Sequence, residues 1–309
     1  MRSVASSHTS PPMLTPVGRL RRWLGGNFSP YLFIAPFFVL FFAFGLYPLL
    51  YALNLSFTYW HGDGDPRYIG LANYTFLLTD STFWQSILNS VMIWFLVVPV
   101  QMILAVLLAV ILSSPRLRLR GFFRTVLLSS YVVPLVAIAQ VWLILFDQDF
   151  GAINTLLQFA HLPTIGWLTT SVWAKPTVAL LVLWRNSGFA MLVMLAAIQN
   201  IPVEYYEASA IDGASRFRQF IHITLPLLRR TISFFMIIST LGIIQMFAEP
   251  KVLTNGGPYN STMTAGFFLT TYINNADYGT GAANSFVLII LLVVLSLIML
   301  RFMRPGDEV

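Results

Sequence analysis

Apolar residues in this chain run together in long blocks, separated by short polar stretches, with neither the alternation of a half-buried strand nor the one-sided stripe of a surface helix. A bilayer core about 30 Å thick needs about 20 mostly apolar residues in a helix. Blocks of that length occupy roughly 31–55, 84–113, 122–146, 174–198, 231–249 and 285–303, which predicts an all-α membrane protein with six transmembrane helices. An even number of spans puts both ends on one side. The reading divides the chain into an N-terminal tail over 1–30, a six-span domain over 31–303 and a short tail over 304–309. The first 28 residues are polar, and the long apolar block after them lacks a small-residue cleavage site, so it predicts an uncleaved first helix. Pro36, Pro48, Pro99, Pro134 and Pro176 fall inside these blocks. Each removes a helical hydrogen bond that a neighbouring helix or water must make good, and each predicts either a kink or plain packing.

Composition agrees with the pattern. The 309 residues are 57% hydrophobic and 10% charged, against roughly 25% charged in a soluble domain. With 26 Phe and a mean hydropathy of +0.74, a chain of this length carries more large apolar side chains than one soluble core can bury. Disordered and fibrous classes are excluded as well. The net charge of +6 is read first as a topology signal, and nucleic acid is not an expected partner. Arginines gather at Arg2, Arg19, Arg21 and Arg22, at Arg116, Arg118, Arg120 and Arg124, at Arg216, Arg218, Arg229 and Arg230, and at Arg301 and Arg304. All four groups fall on one side of a six-span chain, which predicts cytoplasmic termini.

Cysteine is absent, which removes disulfides and thiol nucleophiles, and the four histidines are too scattered to suggest a metal site. A P-loop needs a lysine after a glycine-rich turn. Lys175 lies in Trp-Ala-Lys-Pro and Lys251 in Glu-Pro-Lys-Val, so the chain carries no such site. No enzymatic role is predicted, and uphill transport would draw on an ion gradient or another subunit. No long internal repeat is visible, which speaks against a carrier built from paired halves.

The connection over 199–226 is the most informative. Asn200 as a cap and Pro202 at a first helical position predict a short helix. Gly213 permits a tight turn, and a second amphipathic turn over 215–223 ends where Pro226 opens the next span. Ala208, Ser209 and Ala210 make one side of the first helix narrow, while Glu204, Glu207 and Asp212 offer charge to a basic partner. Such a helix-turn-helix between two spans has the form of a docking element.

On these residues the chain resembles the membrane subunits of binding-protein-dependent ABC importers, in the sugar permease group related to maltose and glycerol-phosphate systems. The family's Glu-Ala-Ala, three residues, Gly, nine residues, Ile-x-Leu-Pro pattern is met by Glu207, Ala208, Gly213, Ile223, Leu225 and Pro226. Ser209 stands where the second Ala is usual. Further matches are Phe33-Ile-Ala-Pro36, Tyr47-Pro-Leu-Leu-Tyr51, Gly70-Leu-Ala-Asn-Tyr74, Asp149-Phe-Gly-Ala-Ile-Asn154 and Leu253-Thr-Asn-Gly-Gly-Pro258. The resemblance implies a type I importer-like fold in a bacterial or archaeal inner membrane. It implies pairing with a second, homologous permease, a dimer of ATP-binding subunits below, and an extracytoplasmic binding protein or lipoprotein above. ATP and magnesium would belong to the partner ATPase, with no cofactor on this chain. Glu207, Ala208, Ser209 and Gly213, with Ile223, Leu225 and Pro226, would form the coupling contact, and the Asn255 to Pro258 turn would lie near the binding protein.

Polar groups inside spans face a partner or a cavity. Arg185 and Asn186 fall mid-way through the fourth block, with Phe189 close by, and Arg185 calls for a polar pathway or a carboxylate partner. The resemblance places solute contacts on the spans flanking the loop, which adds Ser239, Gly242 and Gln245. Aromatic faces beside amides suit a neutral sugar, oligosaccharide or polyol, whereas a glycerol-phosphate ester would suit a positive cavity with Arg185, and the sequence leaves both open; bonding to a second permease or to kinked backbone is the plainer alternative. Gln101 and Gln140 are read as interhelical hydrogen bonds. The rival function is an ion-coupled carrier or channel, for which the acidic residue nearest a span interior is Glu249.

Overall fold

The computed structural model describes residues 29–303; the predicted tails, with Arg2, Arg19, Arg21, Arg22 and Arg304, lie outside the described residues. The chain divides at Asn54 into two units, each described by itself. In the first, α1 (Ser29–Phe41), a π-helical turn (Phe42–Leu46) and α2 (Tyr47–Ser56), whose last two residues already belong to the second unit, follow one another, almost wholly apolar, with Phe37 and Phe41 stacked one turn apart. This is the first predicted span.

The second unit begins with a small two-stranded hairpin, β1 (Thr58–Tyr59) and β2 (Arg67–Tyr68), and a short helix, α3 (Ala72–Thr79). Asp80 caps α4 (Ser81–Ser113) by accepting a hydrogen bond from the Thr82 amide at 2.8 Å. At its other end Arg124 donates to the Leu112 carbonyl at 2.6 Å, a basic group satisfying a helix C-terminus. α8 (Ser171–Gln199) packs along α4. Ile93, Val97 and Val98 meet Val178, Ala179 and Val182 in one half of the core; Met102, Ala105 and Ala109 meet Ala190, Met191 and Met194 in the other. Alanine on both helices at the second contact lets the backbones come close, the usual solution where lipid offers no hydrophobic drive between helices.

The third predicted span is not one helix. α5 (Arg120–Val132) and α6 (Leu135–Leu145) meet at an elbow of 96°. Pro134 has no amide to donate and pushes Val133 into an extended conformation, φ −65° and ψ 137°, so the helix must stop. Pro99 and Pro176, by contrast, sit inside uninterrupted helices. After α6 come α7 (Ala152–Phe159) and a loop organised by Asn154, which is 1% exposed. Its Nδ2 donates to the Gln148 and Ile165 carbonyls, and its Oδ1 accepts from the Ile165 amide and the Trp167 indole.

The loop over 199–226 holds α9 (Val203–Ile211) and α10 (Arg216–Gln219). A π-helical turn (Phe220–Thr224) then joins α10 to α11 (Leu225–Ile244) without a break. The helix that carries the fifth apolar block therefore runs from Arg216 to Ile244, starting inside the loop and ending sooner than the block suggests. It stops at Gln245 because another segment covers the freed carbonyls: Thr264 donates to the Met246 carbonyl, and Gly266 lies so close to the Gln245 carbonyl that a Cβ there would collide. Two short helices follow, α12 (Ala248–Thr254) and α13 (Ala265–Asn274). The last span, α14 (Tyr278–Met303), starts ahead of its apolar block. Its polar first turns are buried against the hairpin and α3, where Thr280 donates to Asn73.

Candidate functional site: a polar and aromatic cavity and the loop over 199–226

Within the second unit a cavity of about 300 Å³ opens between α8 and α11, with α4, α5 and α12 contributing to its walls. Residues three or four apart on a helix share a face. On α8 that rule brings Val182, Arg185, Asn186 and Phe189 to the cavity; on α11 it brings Phe235, Ile238, Ser239 and Gly242. Arg185, Asn186, Phe189, Ser239 and Gly242 thus come together as the sequence suggested. Gln245 does not join them: it is the exposed C-cap residue of α11.

The aromatic side of the cavity depends on a close helix crossing. Gly188 accepts the backbone of α5 so closely that a Cβ would strike the Leu127 carbonyl oxygen. Ser130 ties the same crossing by donating to the Trp184 and Arg185 carbonyls at 3.2 and 3.3 Å. One residue on, Tyr131 stacks on Phe189 at 4.8 Å and 14°, and the Arg185 guanidinium sits over its ring at 5.6 Å. Phe235 extends the wall at 6.0 Å from Phe189.

Arg185 has a carboxylate partner. Its Nη1 lies 3.6 Å from Glu249 Oε1, the two side chains being 23% and 13% exposed. That separation exceeds the 2.7–2.9 Å of a tight charge-assisted hydrogen bond, so the contact is electrostatic. The Nε of Arg185 is buried without a hydrogen-bond partner, which leaves a donor uncommitted. Glu249, at the outer end of the fifth apolar block in the sequence, belongs to α12. The break at Gln245 turns α12 back against α6 and α8.

Gln101, Tyr131, Phe235, Met246 and Glu249 line the same cavity and were not among the candidates. Gln101, 3% exposed, lines the cavity rather than bridging helices, and Gln140 is exposed. An intramembrane Gln on the face of α4 turned toward α11 was the available signal for Gln101. Nothing in the sequence flagged Tyr131, because only the elbow at Pro134 and the crossing at Gly188 turn it inward.

At the other end of α8 the loop forms the expected helix-turn-helix, with corrections. Asn200 caps the C-terminus of α8 and does not start α9, and Pro202 takes the N-cap of α9, one position ahead of its expected place. Gly213, at φ +79°, closes α9: its amide donates to Ala210 at 3.1 Å and the Ala214 amide to Ser209 at 2.9 Å, the pair of bonds of a Schellman motif. The Ser209 hydroxyl accepts from Gln219 at 2.9 Å, and Gln219 also donates to the Tyr206 carbonyl. Tyr206 and Thr224 share a hydrogen bond at 2.9 Å. These contacts join α9 to the start of the fifth span. Glu204, Glu207 and Ala208 remain exposed. Leu225 and Pro226 form the first turn of α11, and Ile223 lies in the π-helical turn.

Residues 80–304 match the model of the family described as binding-protein-dependent transport system inner membrane component. The chain belongs to that family. The permease is 36% identical over 272 residues, 86% of its length and 91% of the relative's, to the lactose transport system permease protein LacF of Rhizobium radiobacter. It is 31% identical over 278 residues, 89% and 93% of the two lengths, to the trehalose/maltose transport system permease protein MalF of Thermococcus litoralis. Among solved structures, a chain of the bacterial alginate ABC transporter in complex with an alginate pentasaccharide-bound periplasmic protein superposes with a TM-score of 0.80. That likeness, at 22% identity over 93% of this chain and 97% of the other, speaks for the fold. The permease is a multi-pass membrane component of a binding-protein-dependent importer, all-α and of the type I importer-like architecture.

Proposed function

We propose that the permease is one translocating half of an ATP-driven carbohydrate importer. The observation that carries the solute class is the cavity between α8 and α11, where the rings of Tyr131, Phe189 and Phe235 stand beside the amides of Gln101 and Asn186 and the Ser239 hydroxyl. Sugar C–H faces stack on rings, and sugar hydroxyls need both donors and acceptors. Relatives whose names specify lactose, trehalose/maltose and arabinooligosaccharides support the same class.

In this reading a second permease completes the pathway, two ATP-binding subunits lie beneath the pair, one of them receiving the exposed face of α9, and the termini are cytoplasmic. Glu207 and its neighbours meet a basic groove of the ATPase. α9 is bonded through Ser209, Gln219, Tyr206 and Thr224 to the helix that continues into α11, so a push on α9 reaches a wall of the cavity. ATP and magnesium belong to the partner, and this chain performs no hydrolysis. The Asn255 to Pro258 turn, which follows α12, faces the binding protein; just beyond it the carbonyls of Tyr259, Asn260 and Met263 accept from Gln85 and Asn89 of α4.

The test is co-expression with the neighbouring transporter genes, purification of a tagged complex and measurement of ATP hydrolysis with and without the binding protein. A complex of two different permeases and two ATPases, stimulated by sugar-loaded binding protein, is the expected result. A chain that purifies alone and transports on an ion gradient would overturn it.

A further inference from the structure

We infer that Glu249 sets the charge preference of the cavity: by neutralising Arg185 it makes this permease a carrier of uncharged carbohydrate. The inference rests on the carbohydrate reading above. Among the described residues lining the cavity, the charged side chains are Arg185 and Glu249; Gln101, Asn186, Ser239 and Tyr131 supply neutral polar groups. A guanidinium keeps its charge at every physiological pH. Alone in an aromatic cavity it would make a site for a carboxylate, sulfonate or phosphate, which it can hold through two parallel hydrogen bonds.

Glu249 opposes that outcome in two ways. Its carboxylate cancels the net charge of the cavity, and at 3.6 Å from Nη1 it stands where an anionic solute would have to bind. The pairing depends on the break after Ile244. Glu249 sits on α12, whose Pro250 and Leu253 are buried, so its position is held by packing and not by a flexible loop.

The permease has no cysteine, so Ser239→Cys places a single thiol of this chain in the cavity wall. In the assembled transporter that thiol is reacted with an anionic (sulfonatoethyl) and a cationic (trimethylammonioethyl) methanethiosulfonate. Modification is read from the mass of this chain, and each rate is scaled to that of a free thiol. The parent should react with the two reagents within about threefold of parity, because paired charges leave little net field. Glu249→Gln should favour the anionic reagent by about tenfold, the effect of about 1.4 kcal/mol of unscreened charge. Arg185→Gln should favour the cationic reagent, and the double variant should return to parity. A parent already about tenfold selective for the anionic reagent, or an Arg185→Gln protein that does not shift toward the cationic one, would overturn the inference even if Glu249→Gln fails to assemble.

Uptake by proteoliposomes of the same complex separates the two claims. Import of maltose or lactose without alginate oligosaccharide supports both. Preference for the alginate oligosaccharide leaves the carbohydrate reading standing and overturns this one. Import of no sugar removes the carbohydrate reading, while the reagent ratio still decides the charge of the cavity.

Discussion

Asn154 gathers more of the structure than any charged residue in its loop. Its side chain satisfies the Gln148 carbonyl and both backbone groups of Ile165, and it holds the Trp167 indole at 3.0 Å. Asn154→Ala should cost about 2–3 kcal/mol, because the groups left behind are buried and unpaired; the midpoint of thermal unfolding of the purified complex measures it. Ser209→Ala should be milder, about 1 kcal/mol: it removes the hydroxyl's bonds to Gln219 and to the Tyr206 carbonyl, but leaves the Gln219 amide and that carbonyl bonded to each other. ATP-coupled uptake should persist in Ser209→Ala. Tyr272 donates to Asp80 at 3.5 Å, and burial, then the nearby Asp80 and Asp277 carboxylates, push its phenol up to about 12. A group whose folded pKa is raised contributes stability that is present below its unfolded value, near 10, and is lost as the pH rises toward 12. The purified complex should therefore lose stability across that window, and Tyr272→Phe should lose less, as measured by unfolding midpoints at stepped pH.

At the scale of elements, Gly188 is the most sensitive position. A side chain there meets the Leu127 backbone, which cannot move without shifting α5 as a whole. Gly188→Ala should cost about 1–3 kcal/mol through overpacking, and it should disturb Tyr131 and Phe189 together; loss of sugar import with a lowered yield of assembled complex is the expected measurement. Pro134 was visible as one of five intramembrane prolines. What singles it out is the fold: Pro99 and Pro176 are absorbed within long helices packed on each other, whereas Pro134 lies between α5, bound to α8 at Ser130, and α6, bound to α12. The loop over 199–226 was legible in outline because Gly213 and the small residues of α9 carry local signals. Its capping was not, since Asn200 and Pro202 satisfy either of two adjacent helix ends and the longer helix, α8, takes the asparagine.

At the scale of the whole molecule, hydrogen bonds of Tyr206 and Ser209 to Gln219 and Thr224 join α9 to the helix that continues into α11, a wall of the cavity. Glu207→Arg, at an exposed position with no intramolecular bond among the described residues, should leave the fold intact and cut ATP-driven uptake at least about tenfold through like-charge repulsion in a basic groove. Unchanged uptake with normal assembly would count against docking through α9. The same variant should leave the Arg185–Glu249 pair untouched, so the charge of the cavity and the coupling of the loop can be measured separately.

The apolar blocks, the polar loops between them and the helix-turn-helix over 199–226 were legible in the sequence alone, because each depends on local runs of residues: about 20 apolar positions to cross a bilayer, arginines between them, a glycine at a left-handed turn. The cavity was decided by tertiary structure. Arg185 announced that a partner was needed without naming it, since a carboxylate 64 positions later reaches it only where α11 stops and α12 folds back. Tyr131 and Gln101 likewise became cavity residues through the crossing at Gly188 and the face α4 turns toward α11. Local sequence reports what a segment buries or exposes, and only the packing of distant segments determines which polar groups face one another.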